Sequence, residues 1–223
     1  MSNIAKLEEL FGRPFQAVVF DMDGVIVDSE RLHLRANREI ALRHGMSVPA
    51  DAWEDIFGMK SVDGFRMIRD RFGTGQEDID RLVTEKRQRF LELANDNLTL
   101  VPEVRTFIDF CRANIGKIGL ATSALLSVQM PTLGRFGLSD MFDVIVMGDD
   151  VTHGKPHPEP YLLAASRLGV DPDTCLVIED AENGIRSAKA AGCVAVGLAT
   201  TLSREKLIAA GADLVVDGFD ELM

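Results

Sequence analysis

Asp21 and Asp23 stand two residues apart in FDMDGVIVDSE, residues 20–30, directly after the apolar run AVVF. Two carboxylates at a strand end can face one crevice, and Gly24 lets the chain turn away at once. Such a pair can supply a nucleophile, an acid/base group, or oxygen ligands for a hard cation. A second pair, Glu179 and Asp180, ends the run LVIE within VIEDAENGIRSAKAAG, residues 177–192. Two strands that each end in paired acids suit Mg²⁺, which takes oxygen ligands and keeps several waters. Glu182 suits the N-terminal turn of the helix that follows. Thr122 and Ser123 in ATSA, residues 121–124, could form an anion cradle with nearby N–H groups, although that tetrapeptide alone reads as a plain helix cap. Lys155 lies in HGKPHPEPY, residues 153–161, between prolines that stiffen the loop. A lysine there could neutralise a phosphate. Each segment alone has a structural explanation; four together, after four different strands, point to one site.

The elements that must carry these residues are legible as apolar runs. AVVF (17–20), IGLA (118–121), VIVM (144–147), LVIE (176–179), VAVGL (194–198) and LVV (214–216) are short, rich in Val and Ile, and apolar on both faces. That is the pattern of buried parallel strands. Helical periodicity lies between them: 102–114 with Pro102 in its first turn, 158–168 ended by Gly169, and 182–191 ended by Gly192. Strand–helix alternation predicts an α/β fold, a Rossmann-like doubly wound parallel sheet. The alternation breaks once. Residues 30–44, 51–57, 61–72 and 77–94 all read as helices, a small helical insertion after the first strand. The expected division is a catalytic core of residues 1–28 and 99–223 and an inserted helical cap domain of residues 29–98.

The 223 residues carry 24 Lys and Arg against 35 Asp and Glu, a net charge of −11. A nucleic-acid partner, which needs a basic face, is excluded on that balance; a small anionic ligand is not. Half of the basic residues fall within 29–98, whose balance is nearly neutral. Three cysteines, an odd and sparse set, indicate reduced thiols, and Cys111 and Cys175 read as buried filler. No apolar window is long enough to span a membrane, and the N-terminal stretch does not read as a signal peptide. A cytoplasmic protein without a membrane partner is expected, working as a monomer or alternatively a dimer.

The motifs DMDGVIVDSE, ATS, GKPHPEPY and EDAENGI, in this order and spacing, resemble the haloacid-dehalogenase-like superfamily of phosphoryl-transfer enzymes. The chain is most similar to the branch that holds sugar-phosphate phosphatases and β-phosphoglucomutase. The resemblance implies that Asp21 takes the phosphoryl group as an aspartyl phosphate and that Asp23 is the general acid, then the base that activates water. It implies Mg²⁺ as cofactor, held by Asp21, the backbone carbonyl of Asp23 and Asp180, with Glu179 beside it. Thr122, Ser123 and Lys155 would hold phosphate oxygens. An acid at position 23 favours a phosphate ester over a haloacid, because the leaving oxygen needs a proton.

Within the insertion, Lys86 interrupts an apolar stripe of Ile79, Leu82, Val83, Phe90 and Leu93, so it either snorkels outward or points into the cleft. His33 shares a helix face with Ala36, Ile40 and Ala41. By resemblance, a His and a Lys at these positions latch the hinge near the acid/base Asp. The mutases place a cap Arg after a Gly-x-Ser/Thr turn; here GMKSVDG, residues 58–64, offers Ser61 and Lys60 instead. The same segment lacks the glycine and the preceding strand of a Walker A loop. His44, His153 and His157 have no zinc spacing. The expected function is a Mg²⁺-dependent phosphatase for a small phosphorylated metabolite such as a sugar phosphate. A β-phosphoglucomutase-type mutase is the alternative, and a non-catalytic binding protein a third reading.

Overall fold

In the computed structural model, which describes residues 3–223 apart from the side chains of residues 3, 7, 10, 96, 128 and 129, the strands are β1 (Ala17–Phe20), β2 (Lys117–Ala121), β3 (Val144–Val146), β4 (Cys175–Glu179), β5 (Val194–Leu198) and β6 (Leu214–Val216). All pair in parallel, in the order β3-β2-β1-β4-β5-β6. Alternate residues feed two cores. Val18, Phe20, Leu176, Ile178, Val194 and Val196 pack on one face, and Ala17, Val19, Cys175, Val177, Cys193 and Ala195 on the other. Helices cover both faces, so the strands have no polar side and read as unbroken apolar runs.

The helices are α1 (Asn3–Phe11), α2 (Glu30–Arg43), α3 (Ser61–Phe72), α4 (Ile79–Asn97), α5 (Val104–Asn114), α6 (Leu126–Arg135), α7 (Glu159–Leu168), α8 (Glu182–Ala190) and α9 (Arg204–Ala210). Helix α5 begins at Val104, so Pro102 stands in the turn ahead of it rather than in its first turn. Residues 51–56 form a 3-10 turn instead of an α-helix. Helices α2, α3 and α4 and that turn lie between β1 and β2 in the chain. They enclose a cluster of their own, with Ile40, Trp53, Ile56, Phe65, Ile68 and Leu82. Among the described residues, no helix is long and apolar enough to cross a membrane.

The chain leaves β1 toward β2 and β3 on one side and returns as β4 on the other. The carboxyl ends of β1, β2 and β4 therefore bound a crevice where the direction of winding changes, the place where open α/β sheets bind ligands. The helical insertion sits down on this crevice. Asn183 Nδ2 donates to Phe57 O at 2.8 Å and to Asp55 O at 3.1 Å, Ser123 Oγ to Gly58 O at 2.7 Å, and Lys60 Nζ to Val151 O at 2.6 Å.

Candidate active site

Four strand ends converge. Residues Phe20 and Ile178 are in register, so Asp21 and Glu179, the next along β1 and β4, emerge side by side. Asp21, Glu179 and Asp180 each offer a carboxylate oxygen, all within 4.8 Å of one another, and all three residues are buried. Lys155 reaches in from the loop after β3, itself only 2% exposed. Its ammonium bonds to Asp21 Oδ1, to Glu179 Oε1 at 2.6 Å and to Ala121 O at 3.1 Å. Burial opposes the charge on Lys155, but the two carboxylates outweigh it and raise its affinity for the proton. Glu179 is saturated. Besides Lys155 it accepts from Tyr161 Oη at 2.7 Å and from the backbone N–H groups of Asp180 and Ala181.

Asp180 is different. Its residue is 1% exposed and its Oδ2 is buried without a hydrogen-bond partner. Gly24, at φ +76°, faces it so closely that a Cβ would lie 1.9 Å from that oxygen. Burial, followed by Glu30, Glu179 and Asp21, pushes the Asp180 carboxyl well above the usual range. Burial likewise pushes Asp21 up to about 7, with Lys155 pulling against it and Glu179 and Asp23 adding to it. A buried oxygen without a donor, beside other carboxylates, is a poor arrangement for a bare protein. It fits a divalent, oxygen-seeking cation.

The Asp23 side chain faces the insertion. Ser29 Oγ donates to Asp23 Oδ1 at 2.6 Å, and His33 Nε2 lies 3.1 Å from the same oxygen. Ser29 precedes α2 and is an N-cap by type, yet its hydroxyl makes no cap bond and serves Asp23 instead. Lys86 Nζ lies 2.9 Å from His33 Nδ1 and 3.3 Å from Ser61 Oγ. An ammonium can only donate, so His33 Nδ1 accepts and Nε2 carries the proton toward Asp23. Burial and Lys86 lower the His33 pKa and keep the ring neutral. Burial tends to raise Asp23, but His33, Ser29 and Lys86 together hold it below the usual range. Lys86 thus points into the cleft and does not snorkel outward; it is 8% exposed. Phe90, one turn on in α4, stacks on His33 with ring centroids 3.8 Å apart.

Thr122 Oγ1 accepts from Ala124 N at 3.1 Å, which shapes the turn after β2. Ser123 and Lys60 both make contacts across the cleft, to Gly58 O and Val151 O. All four line a cavity of about 70 Å³ together with Asp21, Asp23, His33, Ser61 and Lys86. It adjoins a second cavity of about 270 Å³, more apolar, walled by Val62, Val83, Phe90 and Leu125. Four polar groups at the site escaped the sequence reading: Ser29, Glu30, Asn37 and Tyr161. Burial, with Asp23 adding, pushes the Glu30 carboxyl up to about 8.

A carboxylate-bearing strand end, a buried acid cluster and a lysine between two carboxylates, set on a Rossmann-like sheet, suit phosphoryl transfer. The family description "haloacid dehalogenase-like hydrolase" matches residues 15–192. A Thermotoga maritima protein named phosphorylated carbohydrates phosphatase is 36% identical over 206 residues, covering 90% of this chain and 94% of that one. Hexitol phosphatase B of Escherichia coli is 33% identical, covering 80% of this chain and 81% of that one. The crystal structure of β-phosphoglucomutase from Clostridium difficile superposes with a TM-score of 0.81 at 29% identity, over 94% of this chain and 93% of that one. The chain belongs to the haloacid dehalogenase-like hydrolases and is a phosphohydrolase of the β-phosphoglucomutase-like branch.

Proposed function

We propose that the protein hydrolyses the phosphomonoester of a small metabolite, such as a sugar phosphate, through an aspartyl phosphate on Asp21 and with Mg²⁺ as its cation. The observation that carries this is the pairing of a buried Asp21 with the unsatisfied Asp180 Oδ2 across the end of β1 and β4. Asp21, the Asp23 carbonyl and Asp180 would hold the cation. Glu179, whose oxygens already accept four hydrogen bonds, stands beside them. When bound, Mg²⁺ supplies positive charge that offsets repulsion between the carboxylates and the phosphate and polarises its oxygens.

Asp21 attacks phosphorus in line, and the phosphoryl group moves to its carboxylate oxygen as the ester bond breaks. Thr122, Ser123 and Lys155 take the non-bridging oxygens. Asp23 is ionised in the ligand-free protein. The arriving phosphate dianion raises its proton affinity, so it enters the reaction loaded from solvent. It then gives that proton to the leaving oxygen, and its carboxylate takes one from the water that attacks the aspartyl phosphate. His33 and Lys86 hold Asp23 in place. The helical segment 29–98 acts as a cap that excludes bulk water. Three free, buried cysteines suit the cytoplasm. The segment GMKSVDG offers Lys60 and Ser61 where the mutases place an arginine, and that disfavours a mutase, which must grip a second phosphate.

The test is Asp21→Asn, which keeps volume and removes the attacking charge. Phosphate release is expected to fall by about three orders of magnitude or more, with the folded signal retained. A variant that keeps a tenth of the rate, about 1.4 kcal/mol of barrier, removes Asp21 as nucleophile.

A further inference from the structure

Cys175 opens β4, and Cys193 stands immediately before β5. These strands are neighbours, and Leu176 pairs with Val194, so Cys175 and Cys193 are opposed one step earlier. Both side chains enter the same core, on the same face of the sheet. Neighbouring strands lie about 4.8 Å apart, and disulfides bridge Cα atoms about 4.4–6.8 Å apart. The backbone therefore already holds this pair within the range of a disulfide. Cys111, equally buried, belongs to the core on the other face, and the sheet separates it from both.

The two thiols also differ chemically. A hydrogen bond between them holds the Cys175 pKa below the ordinary thiol value, against the effect of burial, and raises that of Cys193. Cys111 has burial alone acting on it and is pushed up. The thiolate is the form that reacts with oxidants. Cys175 is thus suited to attack, and Cys193 to resolve the product. Cys175 and Cys193 are 0% and 2% exposed, yet they lie at the amino-terminal edge of the sheet. Asp171, Asp173 and Gly192 beside them are exposed, and Cys175 Sγ reaches Asp171 O at 3.7 Å. Local opening at that edge admits an oxidant of a few atoms.

We propose that Cys175 and Cys193 form a site of reversible oxidation, which reacts with a small peroxide and closes as a disulfide between β4 and β5. The Cys175 thiolate attacks one peroxide oxygen, the O–O bond breaks, and the departing hydroxide takes a proton to leave as water. Cys175 is then a sulfenic acid. The Cys193 sulfur attacks it, the S–O bond breaks, and the Cys193 proton leaves with the hydroxyl as a second water. The two sulfurs together lose two electrons, and the peroxide gains them. The neighbouring thiol stops Cys175 at a step that a thiol reductant reverses, short of the sulfinic acid. The bond encloses residues 176–192, which carry Glu179 and Asp180, and it lies at the other end of β4 from them.

The experiment treats the folded full chain with hydrogen peroxide near neutral pH, blocks the remaining thiols with iodoacetamide and maps the peptides by mass spectrometry. A linked pair of peptides carrying Cys175 and Cys193 should appear, separate again with dithiothreitol, and leave Cys111 alkylated. In Cys193→Ser the resolving thiol is gone, so dimedone should trap a sulfenic acid on Cys175, and its sulfinic acid should exceed that of wild type by about tenfold or more. Cys111→Ser should keep the linked pair, and it carries the test if the Cys193 variant does not fold. Cys175 and Cys193 oxidised no faster than Cys111 would overturn the proposal, as would separate sulfinic acids in wild type or a cross-link that includes Cys111. A linked pair that forms only in urea also overturns it, because the unfolded chain and not the sheet would then bring the thiols together.

Discussion

Replacing Lys155 by Met keeps most of the side-chain volume and removes a charge that nothing else at the base of the site can replace. Lys155 is fully enclosed and bonds to Asp21, Glu179 and the Ala121 carbonyl. Without it two carboxylates face each other in a buried setting. Breaking a buried pair by deleting one partner costs about 3–5 kcal/mol. For a protein of this length each kcal/mol moves the melting point by about 2–4 °C, so a fall of roughly 6–20 °C is expected. The size depends on pH, and the sign follows from Asp21. Its folded pKa already lies near 7, above its ordinary value of 3.8, and it rises further without the lysine. A raised folded pKa contributes stability that is present at low pH and lost as pH climbs through it. The gap between wild type and Lys155→Met should therefore widen from pH 5 to pH 8. The assay is scanning calorimetry in EDTA across that range. Adding Glu179→Gln should return part of the loss, because one of the stranded charges is gone. A variant within about 1 kcal/mol of wild type at pH 8, or a gap that ignores pH, would refute the assignment of Lys155 as the counter-charge.

Activity should require Mg²⁺, with Mn²⁺ or Co²⁺ substituting and Ca²⁺ failing, and Asp180→Ala should shift the Mg²⁺ titration by about tenfold or more; full activity after exhaustive EDTA contradicts both. Mg²⁺ binding must displace the proton that burial holds on Asp21, so its affinity should rise from pH 5 to about 7, the value to which that carboxyl is pushed. Calorimetry in buffers of different ionisation enthalpy should count the protons released, and a count of zero refutes that coupling. With β-glucose 1-phosphate, Mg²⁺ and a trace of the 1,6-bisphosphate, inorganic phosphate should not trail glucose 6-phosphate. Fast, primer-dependent glucose 6-phosphate would establish the mutase instead.

The six strands were readable because both of their faces are covered, so each shows as an uninterrupted apolar run such as AVVF or VAVGL. The acids at the ends of β1 and β4 were readable because chemistry there sits next to those runs in the chain. Lys86 was ambiguous for a physical reason. A lysine on an apolar stripe either snorkels or enters a cleft, and which one depends on where α2 lies relative to α4. Ser29 carries no local sign of its role, because a serine ahead of a helix suits capping and holding Asp23 equally. Glu30 and Asn37 reach the cavity only because α2 docks over the crevice, which no local pattern in the chain records. Contacts such as Lys60 to Val151 span 91 positions and leave no local trace.

The Ser123 hydroxyl has one hydrogen to give, and with the insertion seated it goes to the Gly58 carbonyl. If the same hydroxyl also serves a phosphate oxygen, the lid and the anion compete for a single proton. A substrate held by its other end can tolerate that competition. Free inorganic phosphate, once the leaving group has gone, has only the cradle to hold it. The contact that shuts the site would then also help to expel the product, so that closure favours arrival of the ester and departure of the anion with one hydrogen bond.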